Sequence, residues 1–165
     1  MGESDWQKIV STRTAAVCRR LFGERFQRGA SLWLVRCNGN LAGYGWALPC
    51  DSMERRYYPA GAKDVHLVEF LVFPEFRGLR INSFLVNHIL GQLATEGKAH
   101  AYLDVAEWNK VALSSYRHTS LRPVGIWRGG PLQKRKLVKR ISAAELWGEG
   151  AQQSEIENVT RGQVA

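Results

Sequence analysis

The chain offers no paired Cys-x-x-Cys motif, no histidine beside a cysteine and no long uninterrupted apolar run. Its three cysteines, Cys18, Cys37 and Cys50, are an odd set at irregular spacing. That excludes a disulfide framework and a zinc site, and leaves partly buried thiols as the expectation. The histidines His66, His88, His100 and His118 are scattered without ligand spacing, so no metal is expected. Arg, Glu, Asn or His breaks every apolar stretch short of the ~20 residues a spanning helix needs. The opening Met1–Trp6 lacks the basic-then-apolar build of a secretion signal. A cytoplasmic protein without membrane contact is the expectation. Acidic residues are also missing from one long region. Between Asn109 and Ala144 stand nine Lys or Arg (Lys110, Arg117, Arg122, Arg128, Lys134, Arg135, Lys136, Lys139 and Arg140) and no Asp or Glu. This block carries the surplus behind the net charge of +8. It suits a phosphorylated ligand, an acidic partner or a plain solvated face. Only Tyr116 and Trp127 interleave it with aromatics, which argues against a nucleic-acid platform.

What is present reads as one α/β domain over residues 1–142, followed by a polar, glycine-rich tail over 143–165 expected to be disordered. With 165 residues and a hydrophobic fraction of 45%, the chain can bury a proper core. Apolar spacing predicts a helix over 5–27. Two strands, 31–37 and 41–48, flank Asn38-Gly39-Asn40, whose residues tolerate positive φ, so a hairpin is predicted. Trp33 and Trp46 belong to its core. Residues 49–63 form a loop with Tyr57 and Tyr58 available as exposed aromatics. A strand over 64–73, apolar on both faces and hence central, leads to a helix over 81–96 and a strand over 100–105. The two strands flank a crossover helix and are expected to be parallel. A short helix over 109–118 and strands over 122–128 and 136–141 complete the order.

Two segments carry the chemistry. The first joins the run Val65–Phe73 through Pro74 to Arg77-Gly78-Leu79-Arg80-Ile81-Asn82 and an amphipathic helix. Free N–H groups and the positive end of the helix dipole favour a phosphate at such a start. In the second, Asn109, Ala112 and Tyr116 fall on one helical face after a strand ends. Alone, Asn109 reads as an N-cap and Tyr116 as a core aromatic.

Together these segments resemble the GNAT superfamily of acyl-CoA-dependent N-acetyltransferases over roughly residues 30–141. The resemblance implies a mixed, mostly antiparallel sheet flanked by helices, with a parallel central pair splayed around coenzyme A. It implies that Leu71, Val72 and Phe73 face the pantetheine arm and that Arg77, Gly78, Leu79, Arg80, Ile81 and Asn82 hold the pyrophosphate. Asn109 would take the family's Asn contact and Tyr116 would stand near the thioester sulfur. One departure is plain: the turn's two family glycines fall on Arg80 and Asn82. Glycine lets amides approach a phosphate closely. The departure keeps open a donor on acyl carrier protein with a longer acyl group, or a binding module that has lost turnover.

For an enzyme, the resemblance implies acetyl transfer from acetyl-CoA to a primary amine of a small molecule or peptide. No Ser–His or Cys–His pair is evident, which suits direct attack in a ternary complex. Tyr116 is the expected acid for the thiolate and the Val72 amide the expected oxyanion donor. Glu69, the carboxylate inside the apolar strand run, is expected as the general base, against the alternative of a Glu paired with an Arg. His66 and Glu107 stand in reserve. Edge strands near the C-terminus would allow a homodimer through sheet contacts.

Overall fold

The computed structural model describes residues 1–50, 61–128 and 136–147. Tyr57 and Tyr58 lie outside the described residues. The chain opens with two helices, α1 (Glu3–Val10) and α2 (Ala15–Gln27), where a single one is predicted. Ser11-Thr12-Arg13-Thr14 explains the break. The Ser11 and Thr12 hydroxyls donate to the carbonyls of Lys8 and Ile9 (both 2.7 Å), and Thr14 is extended as the next N-cap.

Strands β1 (Ser31–Cys37) and β2 (Asn40–Pro49) form the expected hairpin. Asn38 and Gly39 both take positive φ (50° and 79°), the backbone that a tight right-twisting hairpin turn requires. β3 (Asp64–Val72) pairs antiparallel with β2, and a single 3-10 turn (Pro74–Phe76) leads to α3 (Ile81–Thr95). After this crossover, β4 (His100–Leu103) pairs parallel with β3, as the apolar strand–helix–strand order predicts. The sheet order is β1-β2-β3-β4. A short α4 (Lys110–Tyr116) follows, then a separate antiparallel pair, β5 (Ile126–Arg128) with β6 (Lys136–Lys139), and α5 (Ala143–Trp147). Ordered structure therefore runs five residues past the tail boundary expected at 142, and residues from 148 on are not described.

The sheet carries a core on each face. On one, Val65, Leu67, Ile81, Leu85 and Ile89 pack α3 against the strands. On the other, Ile9, Phe22, Tyr44, Trp46 and Phe73 pack α1 and α2. Trp46 is wholly buried with the Phe22 ring edge-on at 4.7 Å, the core role expected of it. Lys8 ties α1 to the end of β3. Its Nζ donates to the Leu41 carbonyl (2.8 Å), pairs with Glu75 (2.7 Å) and lies 4.5 Å and 4.9 Å from the Phe73 and Phe76 ring centroids. Cys18 and Cys50 are buried and Cys37 half-buried. Among the described residues no helix is long and apolar enough to cross a membrane.

Candidate functional site

β3 and β4 stay paired only from Asp64/His100 to Leu67/Leu103. β3 then continues to Val72 while the chain after Leu103 departs toward α4, so a gap opens between their C-terminal ends. Open α/β sheets bind ligands at such divergent strand ends. A bulge bends β3 there: Glu69 takes φ 54°, and the register with β2 shifts between Tyr44 and Trp46.

Glu69 does not present its carboxylate to an acceptor. One oxygen lies 2.5 Å from Arg25 Nη2 and the other 3.1 Å from Arg13 Nη1. Both guanidinium groups come from the α1–α2 segment, and Arg25 also stacks over the Trp46 ring at 5.0 Å. Both oxygens lie within ion-pair reach of a guanidinium, although Oε1 makes no hydrogen bond. The pairing is what the alternative reading of Glu69 expects, a carboxylate bound to Arg, and it clamps the bulge.

Beyond the bulge, the Phe73 amide donates to the Ala42 carbonyl (3.0 Å). Antiparallel alternation then turns the Val72 amide away from β2 and into the gap. The Val72 carbonyl accepts from Arg77 Nε at 3.4 Å, which brings a guanidinium to the same opening. Leu71 and Phe73 send their side chains into the α1–α2 core, and Phe73 is 3% exposed. Of the three residues expected along the pantetheine, Val72 is the one whose backbone the register aims at the gap.

The turn after β3 leaves Arg77, Gly78, Leu79 and Arg80 exposed. The first bond of the α3 ladder runs from the Phe84 amide to the Arg80 carbonyl (3.1 Å), so the amides of Ile81, Asn82 and Ser83 stand ahead of it. No side chain caps them. Arg80 takes the left-handed conformation (φ 55°, ψ 21°) that a glycine adopts without strain, and its side chain is exposed. Asn82 turns toward α4 and donates to Ser115 Oγ (2.6 Å), while Ser83 Oγ donates to the Ser115 carbonyl (2.8 Å). The residues standing where the family has glycine thus have different tasks: one keeps the glycine backbone, the other fastens α3 to α4. Left-handed geometry costs a non-glycine residue roughly 1–2 kcal/mol, partly offset by the extra chain entropy of glycine. Arg80→Gly is accordingly expected to raise the melting temperature by about 2 °C, read by calorimetry. An unchanged or lower value would mean the Arg80 side chain contributes more than its strain.

Asn109 is the N-cap of α4, its Oδ1 accepting from the Ala112 amide (3.2 Å), which leaves only its amide NH2 for a ligand. Tyr116 is buried at 9% exposure. Burial pushes its phenol above the ordinary 10.0, and the Asn82 side chain acts in the opposite direction. The buried Asn82 Oδ1 itself has no hydrogen-bond partner. Tyr116 lines a cavity of about 1030 Å³ together with Leu103, Asp104, Leu113, Trp127 and Trp147. At the apex of the gap His66 Nε2 lies 3.3 Å from Asp104 Oδ2. Asp104 was not singled out from the sequence: it falls inside the strand expected over 100–105, and only the observed end of β4 at Leu103 sets it just past a parallel strand. Glu107, the other reserve, is bound to Arg128 at 2.5 Å.

A family model described as Acetyltransferase (GNAT) family matches residues 4–119. The chain belongs to the GNAT acetyltransferase family. An acetyltransferase from Trypanosoma brucei aligns at 16% identity and TM-score 0.56, covering 81% of this chain and 95% of that one. Glucosamine-6-phosphate N-acetyltransferase from Arabidopsis thaliana aligns at 18% and 0.52, over 73% and 80%. The ribosomal-protein-S18-alanine N-acetyltransferase from Escherichia coli aligns at 16% and 0.53, over 74% and 69%. At these identities the likeness is one of GNAT fold: a mixed sheet with a parallel β3–β4 pair between helices. No curated protein matches the sequence.

Proposed function

We propose that this GNAT protein is an N-acetyltransferase that moves an acetyl group from acetyl-CoA to a primary amine by direct attack. The observation that carries the reading is the parting of β3 and β4, with the Val72 amide turned into the opening. The residues around it fit coenzyme A. Uncapped amides of Ile81, Asn82 and Ser83 and the cations of Arg77 and Arg80 suit a pyrophosphate, beside a strand edge that suits the amide-bearing pantetheine arm. Acetyl-CoA, the donor the family uses, supplies an activated thioester.

The remaining work falls to the chain. The Val72 N–H donates to the oxygen that becomes negative as the amine adds to the acetyl carbon. Tyr116, kept protonated by its burial, gives its proton to the sulfur as the C–S bond breaks. Asp104, one-third exposed and on the cavity wall, holds the ammonium and takes its proton, with His66 Nε2 3.3 Å from the carboxylate. Asn109 offers its amide NH2 to the arm. A cytoplasmic setting and a dimer through sheet edges belong to this reading as proposals.

Titrating the protein with coenzyme A, acetyl-CoA and a long-chain acyl-CoA in a thermal-shift assay tests it. Saturation near 100 times Kd stabilises by about 2.7 kcal/mol, a rise of roughly 5–10 °C for a chain of this size. Shifts with coenzyme A and acetyl-CoA, with release of free thiol when an amine is added, are expected. No shift with either would remove the donor from the proposal. A shift confined to the long-chain compound would favour the longer-acyl alternative.

A further inference from the structure

The helix that carries Tyr116 is too short to hold its own place. α4 has 7 residues, and helices of that length are marginal without tertiary contacts. Its ties run to α3. Asn82 Nδ2 donates to Ser115 Oγ (2.6 Å), and Ser83 Oγ donates to the Ser115 carbonyl (2.8 Å). One turn on, Asn87 Nδ2 donates to the His118 carbonyl (3.2 Å), and its Oδ1 accepts from the Ser120 amide (2.9 Å). The residue ahead of Tyr116 is thus held by side chain and main chain together, and the segment behind it by Asn87. Direction is fixed at Ser115. Its hydroxyl has a single proton, which goes to the Ala112 carbonyl (2.9 Å), so toward Asn82 the oxygen only accepts. No flip of the Asn82 carboxamide keeps both bonds.

The residues that make this tether also own the free amides. The N–H groups of Asn82 and Ser83 precede the first ladder bond of α3, from the Phe84 amide to the Arg80 carbonyl (3.1 Å). No side chain caps that turn, and an uncapped first turn frays. An anion bound by the amides holds the turn still, and the side chains pass that restraint to Ser115. Glycine, the family's residue at position 82, has no side chain to pass it on. We infer that Asn82 and Ser115 are positioning residues that couple the diphosphate of the donor to the placement of Tyr116. This rests on the acetyl-CoA reading. The tether makes and breaks no covalent bond. Tyr116 still gives its proton to sulfur as the C–S bond breaks, and binding of the remote phosphates is expressed as rate at the thioester.

Ser115→Ala removes the acceptor of Asn82 without touching any group offered to coenzyme A. The test compares it with the wild-type full chain on acetyl-CoA and on S-acetylpantetheine, which keeps the thioester and lacks the diphosphate. Truncating the donor should lower wild-type kcat about tenfold at saturation. In Ser115→Ala, kcat with acetyl-CoA should fall about tenfold while kcat with S-acetylpantetheine stays within about twofold, so the donors converge. Asn82→Ala should behave likewise, with the double variant no worse than either single one. Ser115→Thr keeps the hydroxyl and should restore the wild-type donor ratio. A second readout needs no turnover. Inorganic pyrophosphate should slow amide hydrogen exchange about tenfold at Ile81–Ser83 and at Leu113–Tyr116 in wild type, and only at Ile81–Ser83 in Ser115→Ala. A donor ratio unchanged by Ser115→Ala, or wild-type protection that fails to reach Leu113–Tyr116, overturns the inference. Protection that reaches α4 with no thiol release from either donor would instead sink the acetyl-transfer reading and leave the coupling standing.

Discussion

Tyr116→Phe is expected to lower kcat about a hundredfold, within the range general acid catalysis contributes, and to leave the Kd for acetyl-CoA within about twofold. The ring is buried against α3 and survives the substitution, so folding and the donor groove are preserved. What disappears is the proton for the departing sulfur. The pH profile separates this from a structural effect. Burial raises the phenol above 10.0, so its acid form persists to higher pH than that of a free tyrosine. By linkage, Tyr116 contributes stability that is whole below the unfolded value and is lost as pH rises through the folded one. Tyr116→Phe should flatten the activity decline above pH 10.0 and soften alkaline destabilisation together. Stopped-flow or discontinuous thiol detection across that range measures the first, and thermal melts measure the second. A variant with unchanged kcat would exclude Tyr116 from the chemistry.

Gly43→Ala should damage stability and turnover at once. A Cβ built on Gly43 would lie 2.5 Å from the Leu71 carbonyl oxygen and 3.3 Å from Val72 Cα, both backbone atoms of β3. Neither can swing aside as a side chain would, so β2 and β3 must separate at the residue whose amide faces the gap. Overpacking of this kind typically costs about 1–3 kcal/mol, and the backbone contact puts Gly43→Ala near the upper end. The melting temperature should fall by about 5–10 °C. Because the Val72 amide shifts with the strand, kcat in the folded fraction should fall about tenfold further, the order lost when an oxyanion donor is misplaced by part of its reach. Gly23→Ala makes a control, since nothing lies within 4 Å of its added methyl. If Gly43→Ala melts early yet retains wild-type kcat per folded molecule, Val72 is not the oxyanion donor.

The order of elements was readable because each segment obeys its own period. Asn38-Gly39 announces a hairpin, the doubly apolar run at 64–72 announces a central strand, and a crossover helix forces a parallel neighbour. The break at Ser11–Thr14 was missed because apolar positions on either side keep a helical phase, and only the hydroxyl cluster marks the interruption. The site divides in the same way. The turn from Arg77 to Asn82 and the N-cap at Asn109 are local and could be read. The partners of Glu69 could not: Arg13 and Arg25 are remote in sequence and meet it only because α2 packs over the β3 bulge. The His66–Asp104 contact joins two strands and depends on a register that no local pattern specifies. Arg80 and Asn82, equivalent as lost glycines in the sequence, separate once the backbone is known, one strained and solvent-facing, the other a tether to Ser115.

The grip of Lys8 on Leu41, Glu75, Phe73 and Phe76 makes the first helix a brace for a turn it never approaches in sequence. On the acetyl-CoA proposal, tags, cleavage scars or deletions ahead of residue 10 would act on donor recognition from behind, by loosening the platform on which the Arg77–Asn82 turn rests. A shortened protein that folds and melts acceptably could still bind nucleotide poorly, and the fault would lie in its missing strut rather than in any residue that meets the ligand.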